Sequence, residues 1–146
     1  MKKLMLVVAG ILLGIVISFA QDVKETDVPS VVLNSFKKEF SKANDVEWEI
    51  KGDVYDVEFD VGFADHEAWF DNTGKMIKHE EEIKTAGLPE TVSSVLRKEY
   101  KPYQISDVKK IEIESKVVYQ LDLKNGNEEW KMTFDSTGKL VEKKAD

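Results

Sequence analysis

Acidic side chains are the most numerous groups in this sequence that could do chemistry. Between positions 47 and 71 they recur at alternate positions of predicted strands, which places them on one side of a sheet. Such a face is normally only solvated, but carboxylates held side by side repel one another and can also form a docking surface for a basic partner. Two other interpretations are a pair of catalytic carboxylates, as in a glycosidase, and a calcium site.

The last two interpretations are the least favoured. So many acids share one side that no particular pair has surroundings that would raise its pKa. Asp53 or Asp65 alone does not provide the oxygen ligands that a calcium loop needs. We therefore predict no catalytic residues and no metal site.

The predicted partner-binding site consists of residues in the polar phase of the first-half strands. They are Trp69, Glu47, Glu49, Asp56, Glu58 and Glu67. Trp69 stands out because its phase places a large aromatic side chain among carboxylates. Two interpretations stay open for it: a cross-strand packing partner, or a binding anchor that meets a cation.

Other residue types offer little chemistry. The sequence has no cysteine, so neither disulfides nor thiolate metal sites can form, and we expect both histidines, His66 and His79, to face solvent. The triplet Thr73-Gly74-Lys75 lacks the leading glycine and the following helix of a phosphate-binding loop. We therefore predict no cofactor and no enzymatic activity.

An internal repeat supplies the elements that hold these side chains. Residues 28–40 and 88–100 each have proline in second place and end in Lys-Glu-aromatic, with apolar residues four positions apart. This spacing predicts two short amphipathic helices. Further along, Asp71-Asn72-Thr73-Gly74-Lys75 corresponds to Asp135-Ser136-Thr137-Gly138-Lys139, a pattern typical of tight hairpin turns.

Alternating residues predict four strands after each helix, with one apolar phase facing the helices. In the first copy this phase contains Val46, Trp48, Ile50, Tyr55, Val57, Phe59, Ala68 and Phe70. In the second copy it contains Ile111, Ile113, Tyr119, Leu121, Leu123, Trp130, Met132 and Phe134. The opposite phase is acidic in the first copy and mixed in the second.

These patterns predict an α+β fold of two tandem repeats. Each repeat is a helix plus a four-stranded antiparallel meander, and the repeats form one sheet with both helices on one face. We place the first repeat at residues 21–84 and the second at 85–146. With 42% hydrophobic residues, the chain has enough apolar material for a packed core.

Residues 1–20 have the features of a secretory signal. Lys2 and Lys3 precede an apolar run, and Ser18 and Ala20 are the small residues of a cleavage site before Gln21. An uncleaved membrane anchor is the alternative, although the run is short for a full span. Cleavage would change the formal net charge from −7 to −9, because it removes two lysines. That charge argues against nucleic acid and anionic membranes as partners.

Three features of the sequence together resemble a known family. They are a helix that begins with Val-Pro or Leu-Pro and ends with Lys-Glu-(Phe/Tyr), a meander with Asp-x-Thr-Gly-Lys before its last strand, and the signal segment. They resemble the PepSY-like, beta-lactamase-inhibitor-like proteins of the bacterial envelope, over residues 28–143. The resemblance implies helices on one face of an antiparallel sheet, an open opposite face, and protein binding across that face.

Three functions follow as hypotheses. The leading one is a periplasmic or secreted, non-enzymatic binding module, such as an inhibitor or accessory protein, whose partner is a basic or neutral envelope protein or peptide. The alternative is an envelope structural or stress-protective protein with no specific small ligand, and a hydrolase is third. The sequence does not predict an oligomeric state.

Overall fold

The computed structural model describes residues 20–145, so all of the predicted signal segment except Ala20 lies outside the described residues. The described chain forms nine antiparallel strands and two α-helices, and each strand pairs with the next one along the chain. The strands are β1 (Gln21–Val23), β2 (Asn44–Lys51), β3 (Val54–Val61), β4 (Ala64–Asp71), β5 (Met76–Glu82), β6 (Gln104–Ile113), β7 (Lys116–Asn125), β8 (Glu128–Asp135) and β9 (Leu140–Ala145). The predicted α+β meander in a single sheet is confirmed.

The two helices begin and end where the repeat predicts. They are α1 (Ser30–Glu39) and α2 (Glu90–Glu99), each preceded by a short 3-10 turn. The carbonyls of Pro29 and Pro89 accept the first hydrogen bonds, from the amides of Val32 and Val92. Proline suits this position because its backbone dihedral is already set and its missing N–H would have had no helical partner.

Both helices lie on the same face of the sheet, each over its own hydrophobic cluster. Val32 and Phe36 of α1 pack on β2, β3 and β4, and the ring of Phe36 makes edge contacts with Trp48, Phe59 and Phe70 at centroid distances of 5.0–6.4 Å. The second cluster contains Leu88, Val92, Leu96, Val108, Leu121, Leu123, Met132 and Phe134. The two clusters share the sheet, so the repeats form one continuous layer.

The Asp-x-Thr-Gly-Lys motif forms the predicted turn in both repeats. In the first, Oδ1 of Asp71 accepts hydrogen bonds from the backbone amides of Thr73 (2.9 Å) and Lys75 (3.1 Å). The Thr73 hydroxyl also donates a hydrogen bond to Oδ1. This bond is the largest cause that lowers the pKa of Asp71, and the two amide bonds add to it. Gly74 has a φ of +83°, and a Cβ there would lie 2.8 Å from the carbonyl oxygen of Val31 in α1. The turn therefore docks against the helix.

The structure corrects the predicted strands in two places. A short strand, β1, pairs with β2 at the sheet edge, although its three residues are too few to show a periodicity. Sequence alternation predicts the first strand of the second repeat over Lys110 to Glu114. The strand begins earlier, at Gln104, because Asp107 (φ +48°) interrupts its alternation with a bulge.

The predicted orientation of Ile111 and Ile113 is wrong. Glu112 pairs with Val117 on the helix side, so both isoleucines lie on the opposite side of the sheet. The helix-side positions Lys110 and Glu112 form an ion pair at 2.5 Å. They lie outside both hydrophobic clusters, where charged side chains can reach water.

Candidate binding surface

The side of the sheet opposite the helices, called the open face below, brings all six predicted site residues together. Cross-strand pairing arranges them in two adjacent rows. One row runs through Glu49, Asp56, Trp69 and Lys78, and the other, called the acidic row, runs through Glu47, Glu58, Glu67 and Glu80. Directly opposed side chains in an antiparallel sheet are about 5 Å apart, so four carboxylates in one row repel one another.

Asp56 is the most buried charged residue of the open face, with 2% of its surface exposed. Its Oδ2 forms an ion pair with the ammonium group of Lys51, and the hydrogen bond raises the pKa of Lys51. Oδ1 is buried and has no donor in the described part of the chain while Glu67 is ionised. A protonated Glu67 is placed to hydrogen-bond the Asp56 carboxylate.

The surroundings of Glu67 raise its pKa to about 7. Burial is the largest cause, and the negative charges of Asp56, Glu80 and Glu58 add to it. Near neutral pH the acidic row therefore carries a proton on Glu67 for a large part of the time. The sequence pattern did not reveal this shift, because it depends on neighbours from two other strands.

Within the part of the chain that the structure describes, lysines form ion pairs with only one end of the acidic row. Glu80 forms ion pairs with Lys78 (2.6 Å) and Lys109 (3.1 Å). Although burial opposes the effect, the hydrogen bonds from these two lysines lower the pKa of Glu80. Next to this end, an acidic pocket of about 260 Å³ opens on the sheet. Its lining includes Glu58, Asp65, Glu67, Glu80, Glu82 and Lys109.

Trp69 lies on the open face as predicted, but it is only partly exposed. Its cross-strand partners are Asp56 and Lys78, and the ammonium group of Lys78 lies 4.2 Å from the centre of the indole ring. Trp69 therefore packs against its cross-strand neighbours, which is one of the two interpretations that the sequence left open. The cation that its ring meets is Lys78 of the same chain.

Contrary to the prediction, the two histidines do not face solvent. His66 and His79 are partly buried on the helix side of the sheet and stack in parallel, with Nδ1 of His66 3.0 Å from Nε2 of His79. Burial, followed by the charge of His66, lowers the pKa of His79. The ring of Phe59 stacks on His66, the ring of Phe40 lies tilted against His79, and both provide apolar surroundings. Within residues 20–145, no group of three or more His, Asp or Glu side chains is arranged to hold a metal ion.

Sequence reasoning missed Phe63, which is fully exposed at the tip of the hairpin between β3 and β4. Its position in the sequence could have revealed it, because the residue that follows glycine in a two-residue turn is normally polar and here it is aromatic.

Comparisons with known proteins agree with this architecture. The family described as "Putative beta-lactamase-inhibitor-like, PepSY-like" matches residues 16–64 and 53–142, which together cover most of the chain. The chain belongs to this PepSY-like family. No curated protein matches it.

Solved structures from three Bacteroides species share the PepSY-like fold. A DUF2874 family protein from Bacteroides uniformis ATCC 8492 has a TM-score of 0.72 and 18% identity, with 80% of this chain and 88% of that chain covered. A BLIP-like protein from Bacteroides fragilis NCTC 9343 has a TM-score of 0.69 and 22% identity, with 80% and 85% covered. A protein from Bacteroides eggerthii DSM 20697, named as periplasmic, has a TM-score of 0.72 and 15% identity, with 81% and 88% covered. At these identities the likeness concerns the fold.

The acidic row is specific to the first repeat of this PepSY-like chain. In the second repeat, the corresponding row of the open face runs through Asp122, Lys131 and Lys144, which are one acid and two lysines. Lys131 Nζ lies 3.7 Å from Oδ1 of Asp122. Lysines therefore outnumber carboxylates in this row of the second repeat, whereas the row of the first repeat consists of four glutamates. Within residues 20–145, no helix is long and apolar enough to span a membrane.

Proposed function

We propose that this protein is an exported, non-enzymatic binding module that captures a basic segment of an envelope protein or peptide on its open face. The acidic row carries the proposal, because it places four carboxylates on four neighbouring strands. Like charges at this spacing destabilise a sheet. A cationic partner would remove that repulsion, which explains why the side chains are carboxylates.

The shifted pKa of Glu67 supports a cationic partner. A carboxyl group with a pKa of about 7 lacks enough positive charge nearby to stabilise its ionised form. A lysine or arginine side chain in the acidic pocket would supply that charge, and Glu67 would then release its proton. Binding is therefore expected to strengthen as the pH rises through 7.

Two observations favour a binding module over an enzyme. The family is described as inhibitor-like, and a relative in fold is named BLIP-like. The open face is also an exposed, charged sheet surface, which suits an extended contact with another protein better than an enclosed reaction. The periplasmic name of a third relative agrees with the compartment that residues 1–20 predict.

The test is a pull-down from envelope extract with the parent protein, a Glu58→Gln/Glu67→Gln variant and a Glu142→Gln control. Glu142 is an exposed acid on the open face of the second repeat, so its removal changes the net charge without touching the acidic row. We expect the parent and the control to retain one specific basic protein, with recovery at least tenfold lower for the double variant. Recovery should also fall from low to moderate salt.

Binding of the captured protein, once purified, is then measured by calorimetry with the Trp69→Ala variant included. Equal binding by the parent and the double variant would remove the acidic row from the site. Failure to retain any specific partner at either salt concentration would favour the structural or stress-protective alternative.

A further inference from the structure

We propose that Phe63 is an anchor that inserts into an apolar pocket on the partner protein, and that basic residues line the rim of this pocket. The proposal rests on the protein-binding function above and adds a contact beyond the acidic row. It makes Phe63, and not the partly buried Trp69, the aromatic residue that reaches furthest into the partner.

The exposure of Phe63 is the first observation. Its exposed area is 109% of the reference value for the residue, so the protein covers none of its ring. Four other large apolar residues in the described chain are exposed to a lesser extent, by 39–59%. An aromatic side chain that contributes no burial to its own fold has its whole surface available for a partner.

The turn itself does not require an aromatic residue. Among the described residues, three hairpins share a glycine at positive φ followed by one more turn residue: Gly52-Asp53, Gly62-Phe63 and Gly126-Asn127, with glycine φ values of +65°, +69° and +61°. In two of them the second residue is polar, as hydration at a loop tip favours. Phe63 is the exception, although its backbone surroundings are the same.

The charges near the tip indicate the chemistry of the partner. Asp60 and Asp65 are cross-strand partners one pair behind the turn, so two carboxyl groups lie near the hairpin tip. A groove beside the tip also carries Glu81, Glu82 and Asp107, against a single cation, Lys84. This acidic surround repels anionic lipid and is complementary to an apolar pocket with a basic rim.

The tip is continuous with the proposed binding surface. Asp65 and Glu82 also line the acidic pocket of the open face, next to the acidic row. One partner can therefore place a basic side chain in this pocket while its own apolar pocket receives Phe63. An aromatic anchor with polar contacts at the rim around it is a common arrangement in protein interfaces.

The experiment uses the absence of cysteine from the chain. Phe63→Cys and Asn127→Cys variants are each labelled with a benzophenone maleimide, irradiated in envelope extract, and their adducts are identified by mass spectrometry. Asn127 is the matched control because it occupies the same turn position in the second repeat. We expect a specific protein adduct from position 63 and none from position 127.

The identified protein is then purified, and its affinity is measured for the parent, Phe63→Asn and Asn127→Ala. Phe63→Asn copies the second-repeat turn, so its melting temperature should equal that of the parent. We expect an affinity at least about tenfold lower for Phe63→Asn and unchanged for Asn127→Ala. The surface of the purified protein should show an apolar pocket with basic residues around it.

Several results would overturn the anchor. They are equal adducts from both positions, no specific protein adduct from position 63, adducts only with lipid, and adducts only with a second copy of this chain. The Glu58→Gln/Glu67→Gln variant separates the two proposals. If Phe63→Asn binds like the parent while this variant does not, the anchor is wrong and the acidic row stands. The reverse result would leave the anchor and remove the acidic row.

Discussion

Glu67 is the residue whose chemistry the fold changes most. When ionised, its carboxyl group is repelled by the other carboxylates of the acidic row and leaves the buried Asp56 carboxylate without a hydrogen-bond donor. Protonation relieves both, because it removes one charge and supplies Asp56 with a donor. The residue thus links the stability of the protein to pH in a direction opposite to that of most surface carboxylates.

This linkage predicts that the contribution of Glu67 to the free energy of unfolding falls as the pH rises from about 4.5 to 7. Unfolded chains lose the Glu67 proton near pH 4.5, whereas the folded protein keeps it until about pH 7, so the folded state binds more protons in this window. Glu67→Gln should remove this contribution. The stability of the variant relative to the parent should therefore be higher at pH 8 than at pH 5 by about 1–2 kcal/mol, a value discounted for solvent screening.

Denaturant unfolding of the parent and Glu67→Gln at pH 5 and pH 8 measures this difference, with Glu142→Gln as the control for net charge. The contribution of His79, whose pKa is lowered, is present in all three proteins and cancels in the comparison. A difference between Glu67→Gln and the parent that stays constant across the pH range would contradict the proton shared by Glu67 and Asp56.

At the scale of elements, both repeats place their last hairpin turn against the N-terminal half of their helix. Gly74 approaches Val31 of α1, and Gly138 approaches the backbone of Thr91 in α2 at 2.5 Å from the position of an added Cβ. The turn motif therefore sets the position of the helix N-terminal half over the sheet, in addition to reversing the chain.

Gly74→Ala should destabilise the protein by about 2–4 kcal/mol. The substitution combines a positive φ with a collision against the carbonyl of Val31. Gly52→Ala is the matched control, because Gly52 has a similar φ of +65° but open space around it, and its cost should stay near 1–2 kcal/mol. Equal losses in thermal or denaturant unfolding would show that the contact with α1 contributes nothing.

At the scale of the whole molecule, two hydrophobic clusters share one sheet. The repeats are joined by the pairing of β5 with β6, from Lys78 opposite Ile113 to Glu82 opposite Lys109. Continuous pairing across this junction extends the sheet through both clusters. The surfaces of the two repeats differ, because only the first has the acidic row and the Phe63 tip.

Phe36→Ala should lower the stability by about 3–5 kcal/mol, because it empties the centre of the aromatic cluster in the first repeat. We expect the variant to unfold in one transition, with tryptophan fluorescence and far-ultraviolet circular dichroism coinciding. Leu96→Ala, the equivalent change in the second repeat, should also give a single transition. Two separated transitions in either variant would mean that the repeats unfold independently.

The sequence by itself determined the features that local patterns encode. Apolar residues four apart predicted both helices, the Asp-x-Thr-Gly-Lys motif predicted both turns, and alternation placed Glu47, Glu58 and Glu67 on one face. These predictions succeed because helix periodicity, turn chemistry and strand alternation depend on residues only a few positions apart.

Only the tertiary structure decided the features that depend on distant strands. The bulge at Asp107 and the pairing of β6 put Ile111 on the open face, the register of β4 with β5 brought His66 to His79, and burial raised the pKa of Glu67. Register and burial are set by partners far away in the sequence. The alternation of a single strand shows which residues share a side, but not which side that is or what faces them there.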